Sequence, residues 1–325
     1  MILRILNYCC RYLLSLAIIM IFQSGCNGVL DINKLNIADQ GYVLCRISDI
    51  ETTNILVKID VNDSRNYNIL AQFDVYTGTG AKISPNDSLI CFLAKPYSGD
   101  DAAVAIGAYG SNNFNLIDPP VFGHKLDWNN SGDRLYIEYG PPYYPSVMYI
   151  SLQDSQRHLL LNGEYLQLIK IISDSLILVQ WGMSLAYMDA NGNTPQLITN
   201  QFQYPNLSPK PFERESIQTG HPFYQDFIDN RLLGTTGWTE NGKTYSSVIE
   251  TDIDGTYFKY LVKQLDYCDY VIWGRNGNTV FFQARINGYD WVYKLDVRSG
   301  KISPLLDFDL FPDYKYLNAY EFRQE

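Results

Sequence analysis

From about residue 41 onward, short apolar runs alternate with polar clusters, and no amphipathic helix of any length interrupts them. The runs are rich in β-branched and aromatic residues and are bounded by Asn, Asp, Ser and Gly, the pattern of strands joined by tight turns. Five stretches repeat one unit: ISPNDSLICFLA (83–94), LDWNNSGDRLYIEY (126–139), IKIISDSLILVQW (169–181), FIDNRLLGTTGW (227–238) and VIWGRNGNTVFFQA (271–284). Each has an apolar strand end, a turn and a second apolar strand. The first core residue after each turn is Leu89, Leu135, Leu176, Leu232 or Val280, at separations of 46, 41, 56 and 48. One further step of 46 back from Leu89 reaches Val43 in GYVLCRI (41–47), which makes six registers.

A third strand follows in every unit: NILVKID (54–60), AVAIGAY (103–109), SVMYISL (146–152), SLAYMDA (184–190), YSSVIETD (245–252) and WVYKLDV (291–297). After another turn a fourth strand closes the unit, as in TPQLIT (194–199) and KISPLL (301–306). Four antiparallel strands per unit of about 45 residues is the signature of a propeller blade. The pattern predicts an all-β chain whose residues 41–325 form a single β-propeller of six four-stranded blades. Two segments compete for the innermost strand of the first blade: YLNAYEF (316–322) and the stretch from Val29 to Ile37.

The stretch VIWGRNGNTVFFQARINGYDWVYKLDVRSGKISPLL (271–306) resembles the TolB-type, WD40-like propeller repeat, which pairs a Trp-Ser-Pro-Asp-Gly turn with a later apolar-Tyr-apolar-Asp strand. Ser84-Pro85-Asn86-Asp87, and Trp128 with Ser131-Gly132-Asp133, match the same places. The resemblance covers the repeat and not the separate N-terminal domain of TolB. It implies a fold, which does not fix a function.

The first 26 residues have the plan of a targeting segment. Arg4 and Arg11 precede a mostly apolar run from Leu13 to Phe22. That run is short of the roughly 20 residues that cross a bilayer and suits a secretory signal peptide. Gln23-Ser24-Gly25-Cys26 is similar to the lipobox of bacterial lipoproteins, although Gln23 stands where that family has an aliphatic residue. The resemblance implies a signal peptide at 1–25, acylation of Cys26, a tether at 26–40 and a lipid anchor in the membrane of the cell envelope. Ordinary cleavage and a retained anchor are the alternatives. Loss of residues 1–25, with Arg4 and Arg11, takes the formal charge from −10 to −12. A surface of that sign repels nucleic acid.

Candidate chemistry is sparse. His124, His158 and His221 fall in different units without metal-site spacing, no GxSxG elbow or P-loop occurs, and the Asp-rich turns lack an EF-hand's length. No metal or cofactor is expected. Cys45, Cys91 and Cys268 read as buried thiols, and Trp128 and Trp273 as packing between blades. The loops are more informative. Those joining second to third strands, and those joining blades, share one face of a propeller. That face is expected to carry Tyr97, Asp100, Asp101, Tyr143, Tyr144, Trp181, Trp238, Tyr289 and Asp290. Aromatic rings among acids and amides suit a protein, peptide or glycan partner. The leading expectation is a non-catalytic binding or scaffold module. The alternative is an enzyme acting on glycans through Asp100, Asp101 and Asp290, which needs two carboxyls roughly 5–9 Å apart.

Overall fold

The computed structural model describes residues 41–48, 54–73, 76–95, 102–111, 113–121, 123–139, 145–162, 166–181, 184–191, 196–199, 223–240, 242–254, 257–314 and 316–324. The first blade contains β1 (Tyr42–Ser48), β2 (Asn54–Asp60) and β3 (Tyr67–Phe73). The second is β4 (Tyr76–Ile83), β5 (Leu89–Lys95), β6 (Ala102–Ala108) and β7 (Phe114–Val121), and the third β8 (Gly123–Trp128), β9 (Arg134–Tyr139), β10 (Ser146–Ser151) and β11 (Arg157–Asn162). The fourth is β12 (Leu166–Ser173), β13 (Leu176–Trp181), β14 (Ser184–Asp189) and β15 (Gln196–Thr199). The fifth is β16 (Phe223–Ile228), β17 (Arg231–Glu240), β18 (Lys243–Asp252) and β19 (Phe258–Leu265), and the sixth β20 (Cys268–Trp273), β21 (Thr279–Ile286), β22 (Tyr289–Asp296) and β23 (Ile302–Pro304). The last strand, β24 (Tyr316–Arg323), returns to the first blade and pairs antiparallel with β1 from Tyr42↔Arg323 to Ser48↔Tyr316. Six blades of four strands result.

The middle strands read as unbroken apolar runs because a blade packed between two others has no solvent side. Along β5, Ile90 and Phe92 join the apolar layer shared with the first blade, whereas Cys91 and Leu93 join the layer shared with the third. Along β9, Leu135 and Ile137 turn back to the second blade and Tyr136 turns forward to the fourth. The period of two is therefore kept, with apolar residues on both sides. Cys45, Cys91 and Cys268 are buried without disulfides, as expected of them.

The first-to-second-strand turns share a geometry that explains their composition. In the second, third and sixth blades the residues at 84, 129 and 274 each accept from the N–H three positions on and donate to the carbonyl five positions on. The third position after the start has positive φ in all three, at Asp87 (56°), Gly132 (73°) and Gly277 (59°). Only residues that tolerate the left-handed region fit there, which is why Asp and Gly recur. The Ser84 Oγ and Asn129 Oδ1 also accept the N–H of Leu89 and Arg134, 2.9 Å each. The fifth blade turns in two residues, Asp229 and Asn230, both at positive φ.

β24 bridges to β22 of the sixth blade by one backbone pair, Asp290↔Tyr316, and side chains add further ties within the first blade and to its two neighbours. Arg46 donates to Asn318 Oδ1 (2.8 Å), and Asn318 Nδ2 donates to Gln283 Oε1 in the sixth blade. Arg323 donates to the carbonyls of Ile83 (3.2 Å) and Ser84 (3.0 Å) and pairs with Asp87 in the second blade. Lys294 donates to Val61 O at 2.7 Å, and Arg65 pairs with Asp307 at 2.7 Å. The C-terminal strand thus takes the innermost place; Val29 to Ile37 lies outside the described residues. Removal of residues 316–325 strips β1 of its inner partner and takes away the Asn318–Gln283 contact to the sixth blade and the Arg323 contacts to the second. The truncated chain is expected to lose the cooperative unfolding transition of the full chain, or to unfold at a much lower urea concentration. Leu135→Ala, a cavity in one apolar layer, should by comparison cost about 2–5 kcal/mol and keep a single transition.

Candidate functional site

The innermost strands β4, β8, β12, β16 and β20 are the inner edges of their sheets, and β24 meets β22 of the sixth blade only at the Asp290↔Tyr316 bridge, so some of their N–H groups lack a ladder partner. Side chains from the preceding blade supply acceptors. Glu321 accepts from Ile83 N–H (3.0 Å), Glu138 from Leu168 (2.8 Å), Gln180 from Tyr224 (3.3 Å), Gln225 from Val271 (3.0 Å) and Asp226 from Trp273 (2.9 Å). Asp127 lies 3.5 Å from Ile171 N–H in the same sense. Every one of these contacts runs from a blade to its successor.

The same strands enclose a cavity of about 300 Å³, lined by residues of all six blades. Its cations come from three successive blades, as Lys82, Lys125 and Lys170. Across from them, Asp226, Asp269 and Glu321 come from the other three, while Asp127 and Glu138 belong to the third blade. Lys170 and Asp226 form an ion pair of 2.9 Å. Burial alone would raise the Asp226 carboxyl, but Lys170 and the Trp273 N–H hold it below the usual carboxylate range; Asp226 in turn holds the Lys170 ammonium above its usual value. Lys125 reaches across two blades, donating to the carbonyls of Ile169 (2.5 Å) and Gln225 (2.7 Å). Burial brings its pKa down to about 8, offset in part by Asp127. Burial likewise takes Glu138 up to about 7, against the Leu168 N–H and Lys125. Asp269 and Glu321 are raised by the same cause.

The loop face carries fewer of the predicted residues in describable form. Tyr97, Asp100, Asp101, Tyr143 and Tyr144 lie outside the described residues, as do Cys26 and the rest of the targeting segment and tether. The backbone of Trp238 pairs with Tyr245 in the long β17–β18 hairpin. Trp181 and Tyr289 stand on this face 39% and 46% exposed, with Tyr289 against Phe308 at a centroid distance of 4.6 Å. Asp290 is buried and bound through both oxygens by Arg285, at 2.8 and 2.6 Å. Phe223, which the sequence did not single out, is 49% exposed at the loop-face end of β16 and lines the cavity. Among the described residues, no three His, Cys, Asp or Glu side chains gather as a metal site.

No protein-family model and no curated protein matches the sequence. Solved structures do match the fold. TolB from Acinetobacter baumannii superposes with a TM-score of 0.55 at 11% identity, over 81% of this chain and 62% of that one. The fold is TolB-like. A chain of a nidogen/laminin complex gives 0.58 at 9% identity, over 86% and 99%, and an uncharacterized protein from Listeria monocytogenes EGD-e gives 0.51 at 14%, over 82% and 92%. Identities this low speak to the fold alone, and this chain spans only 62% of the length of the Acinetobacter TolB chain.

In this TolB-like ring the channel carboxylates hold strands together before they do anything else, and Glu138 makes that measurable. Its pKa is higher in the folded chain than in the unfolded one, so its contribution to stability is present below about pH 4.5 and lost as the pH rises through 7. Glu138→Gln keeps an acceptor for Leu168 and has no charge to bury. Urea midpoints of the wild type are expected to fall between pH 5 and 8 more steeply than those of the variant. At pH 8 the variant should be the more stable by on the order of 1–3 kcal/mol.

Proposed function

We propose that this chain is an exported, lipid-tethered envelope protein whose propeller offers its loop face to a protein, peptide or glycan partner without transforming it. The observation that carries this reading is where the chain enters the ring. Tyr42 pairs with both Asp60 and Arg323, and Gly41 O accepts from Val61 N–H, so entry is on the face of the first-to-second-strand turns. That is the face opposite the loops. A tether of residues 26–40 reaches at most about 50 Å when extended. An anchor at Cys26 would hold the turn face toward the membrane and leave Trp181, Phe223 and Tyr289 directed away from it.

The turn face itself is polar, with exposed Asp63, Asp87, Asp154, Asp174 and Asp229. Such a face is poorly suited to lie on anionic lipid. The glycan-acting alternative has less support. Of its three loop-face carboxylates the one described, Asp290, has both oxygens engaged by Arg285.

The test uses membranes from a bacterial host that makes the full chain. The wild type is expected to sediment with membranes and carry acyl mass at Cys26, and Cys26→Ser to be released. On the membrane-bound protein, Tyr289→Cys should react with a bulky maleimide several-fold faster than Ser299→Cys on the turn face. Release of unmodified wild type would overturn the tether, and equal labelling would overturn the orientation.

A further inference from the structure

The channel holds two charges that form no ion pair among the described residues, although Asp127 and Asp226 act on Lys125 from beyond bonding distance. Around the cavity, Lys170 is closed off by its ion pair with Asp226, and Glu321 by the Ile83 N–H together with Arg323 at 3.5 Å. Lys125 and Asp269 differ. The Lys125 ammonium bonds only to neutral groups, the carbonyls of Ile169 and Gln225. The Asp269 carboxylate likewise accepts only from neutral donors: Gln225 Nε2 (2.9 Å), its neighbour Tyr270 N–H (2.8 Å) and Tyr267 OH (3.4 Å). Neither enters an ion pair among the described residues. They stand on the third and sixth blades, half a ring apart, and both line the cavity.

A buried charge with no partner costs free energy, and a ligand of opposite charge recovers it. An ammonium has three donors, of which Lys125 uses two, and Asp269 Oδ2 is met only by the long Tyr267 contact. A single molecule answering both groups must carry a carboxylate at one end and an ammonium at the other. We propose that the channel binds a small zwitterion of the amino-acid or dipeptide class, its carboxylate on Lys125 and its ammonium on Asp269.

Other features fit this ligand. Lys82 adds positive charge one blade from Lys125, where Asp127 and Glu138 also stand, and Glu321 adds negative charge one blade from Asp269, while Lys170 and Asp226 cancel in their ion pair. The cavity, about 300 Å³, is at the small end of ligand sites, which suits two residues and excludes a long peptide. Phe223, half exposed and part of the wall, marks an opening on the loop side. Tyr270 and Tyr320, in edge contact at 6.2 Å, give the Asp269 side an aromatic surface next to the ammonium position. Burial has lowered the pKa of Lys125 and raised that of Asp269, as it does for charges awaiting a partner. This site is independent of the tether and of the partner proposed for the loop face.

The experiment is calorimetric titration of the purified full chain in detergent with L-alanine, L-alanyl-L-alanine, N-acetyl-L-alanyl-L-alanine and L-alanyl-L-alaninamide. At least one of the two zwitterions should bind, and each singly blocked dipeptide should bind at least about tenfold more weakly than the better of them. Lys125→Met should erase the preference for the free carboxylate, and Asp269→Asn the preference for the free ammonium, each leaving the other preference in place. The comparison among ligands on the unmodified protein decides the matter even if a variant fails to fold. No heat from either zwitterion up to about 10 mM, or equal binding of the blocked forms, overturns the proposal.

Discussion

Every blade of this ring begins on an edge, and the edge faces inward. Apart from the single β22–β24 bridge, an innermost strand has a ladder partner on one side only, and its other side looks into the channel. Each N–H left unmatched there costs about 1–3 kcal/mol. The chain's answer is directional: an acid or amide of one blade accepts from the innermost strand of the next, through Glu138, Gln180, Gln225, Asp226 and Glu321. Polar side chains in the middle of a propeller are thus a consequence of strand chemistry before they are a clue to function.

The same constraint explains why the last strand of the chain belongs to the first blade. Were β24 not next to β1, the first blade would present β1 to the channel with its apolar side chains and unpaired edge. With β24 in place, Glu321 passes the directional contact on to Ile83, and Asn318 receives the sixth blade's contact through Gln283. The first blade is tied to its neighbours by Arg323, Lys294 and Arg65, and Arg46 ties β1 to β24 within it. A ring of blades leaves its inner edges short and protected.

What the sequence revealed and what it hid follow from this geometry. Blade count and strand order were readable because the turn at Ser84, Asn129 and Gly274 recurs, and because burial on both faces makes β5, β9, β13 and β21 unmistakably apolar. The channel was not readable. Lys125, Asp127, Lys170 and Asp226 look in one dimension like solvated positions of alternating strands, and only the ring brings residues 44 to 47 apart into contact. A signal did exist: the strand before the turn carries a charge in every unit. Asp290 is the opposite case. Asn287-Gly288, both at positive φ, is a two-residue hairpin turn that sets Arg285 opposite Asp290. The cross-strand ion pair is therefore legible in RINGYD, and it closes off the acid that the sequence pattern sets on an open binding face.

Charges that serve the fold and charges free to serve a ligand can be separated by counting their bonds. Asp226 spends both oxygens, on Lys170, Phe227 N–H and Trp273 N–H, and deleting its charge would release an ammonium and two backbone donors at once. Glu138 is bound to one N–H and burial takes it up to about 7, with the Leu168 N–H and Lys125 acting against that. Among the described residues Lys125 is hydrogen-bonded to carbonyl dipoles, which orient the ammonium and leave it outside any ion pair, although Asp127 acts on it from further off. Asp269 is held by an amide, a phenol and its neighbour's N–H, with the same result on the other side. A protein interior does not keep two opposite charges apart without cost when a rotamer change could let them meet a counter-ion. Here hydrogen bonds to Gln225, through its carbonyl for Lys125 and its side-chain amide for Asp269, fix both groups and keep them from collapsing onto other partners. Gln225 is thus the residue on which the polarity of the channel turns: its side chain also accepts from Val271, so the contact that joins the fifth and sixth blades sets the position of the open carboxylate.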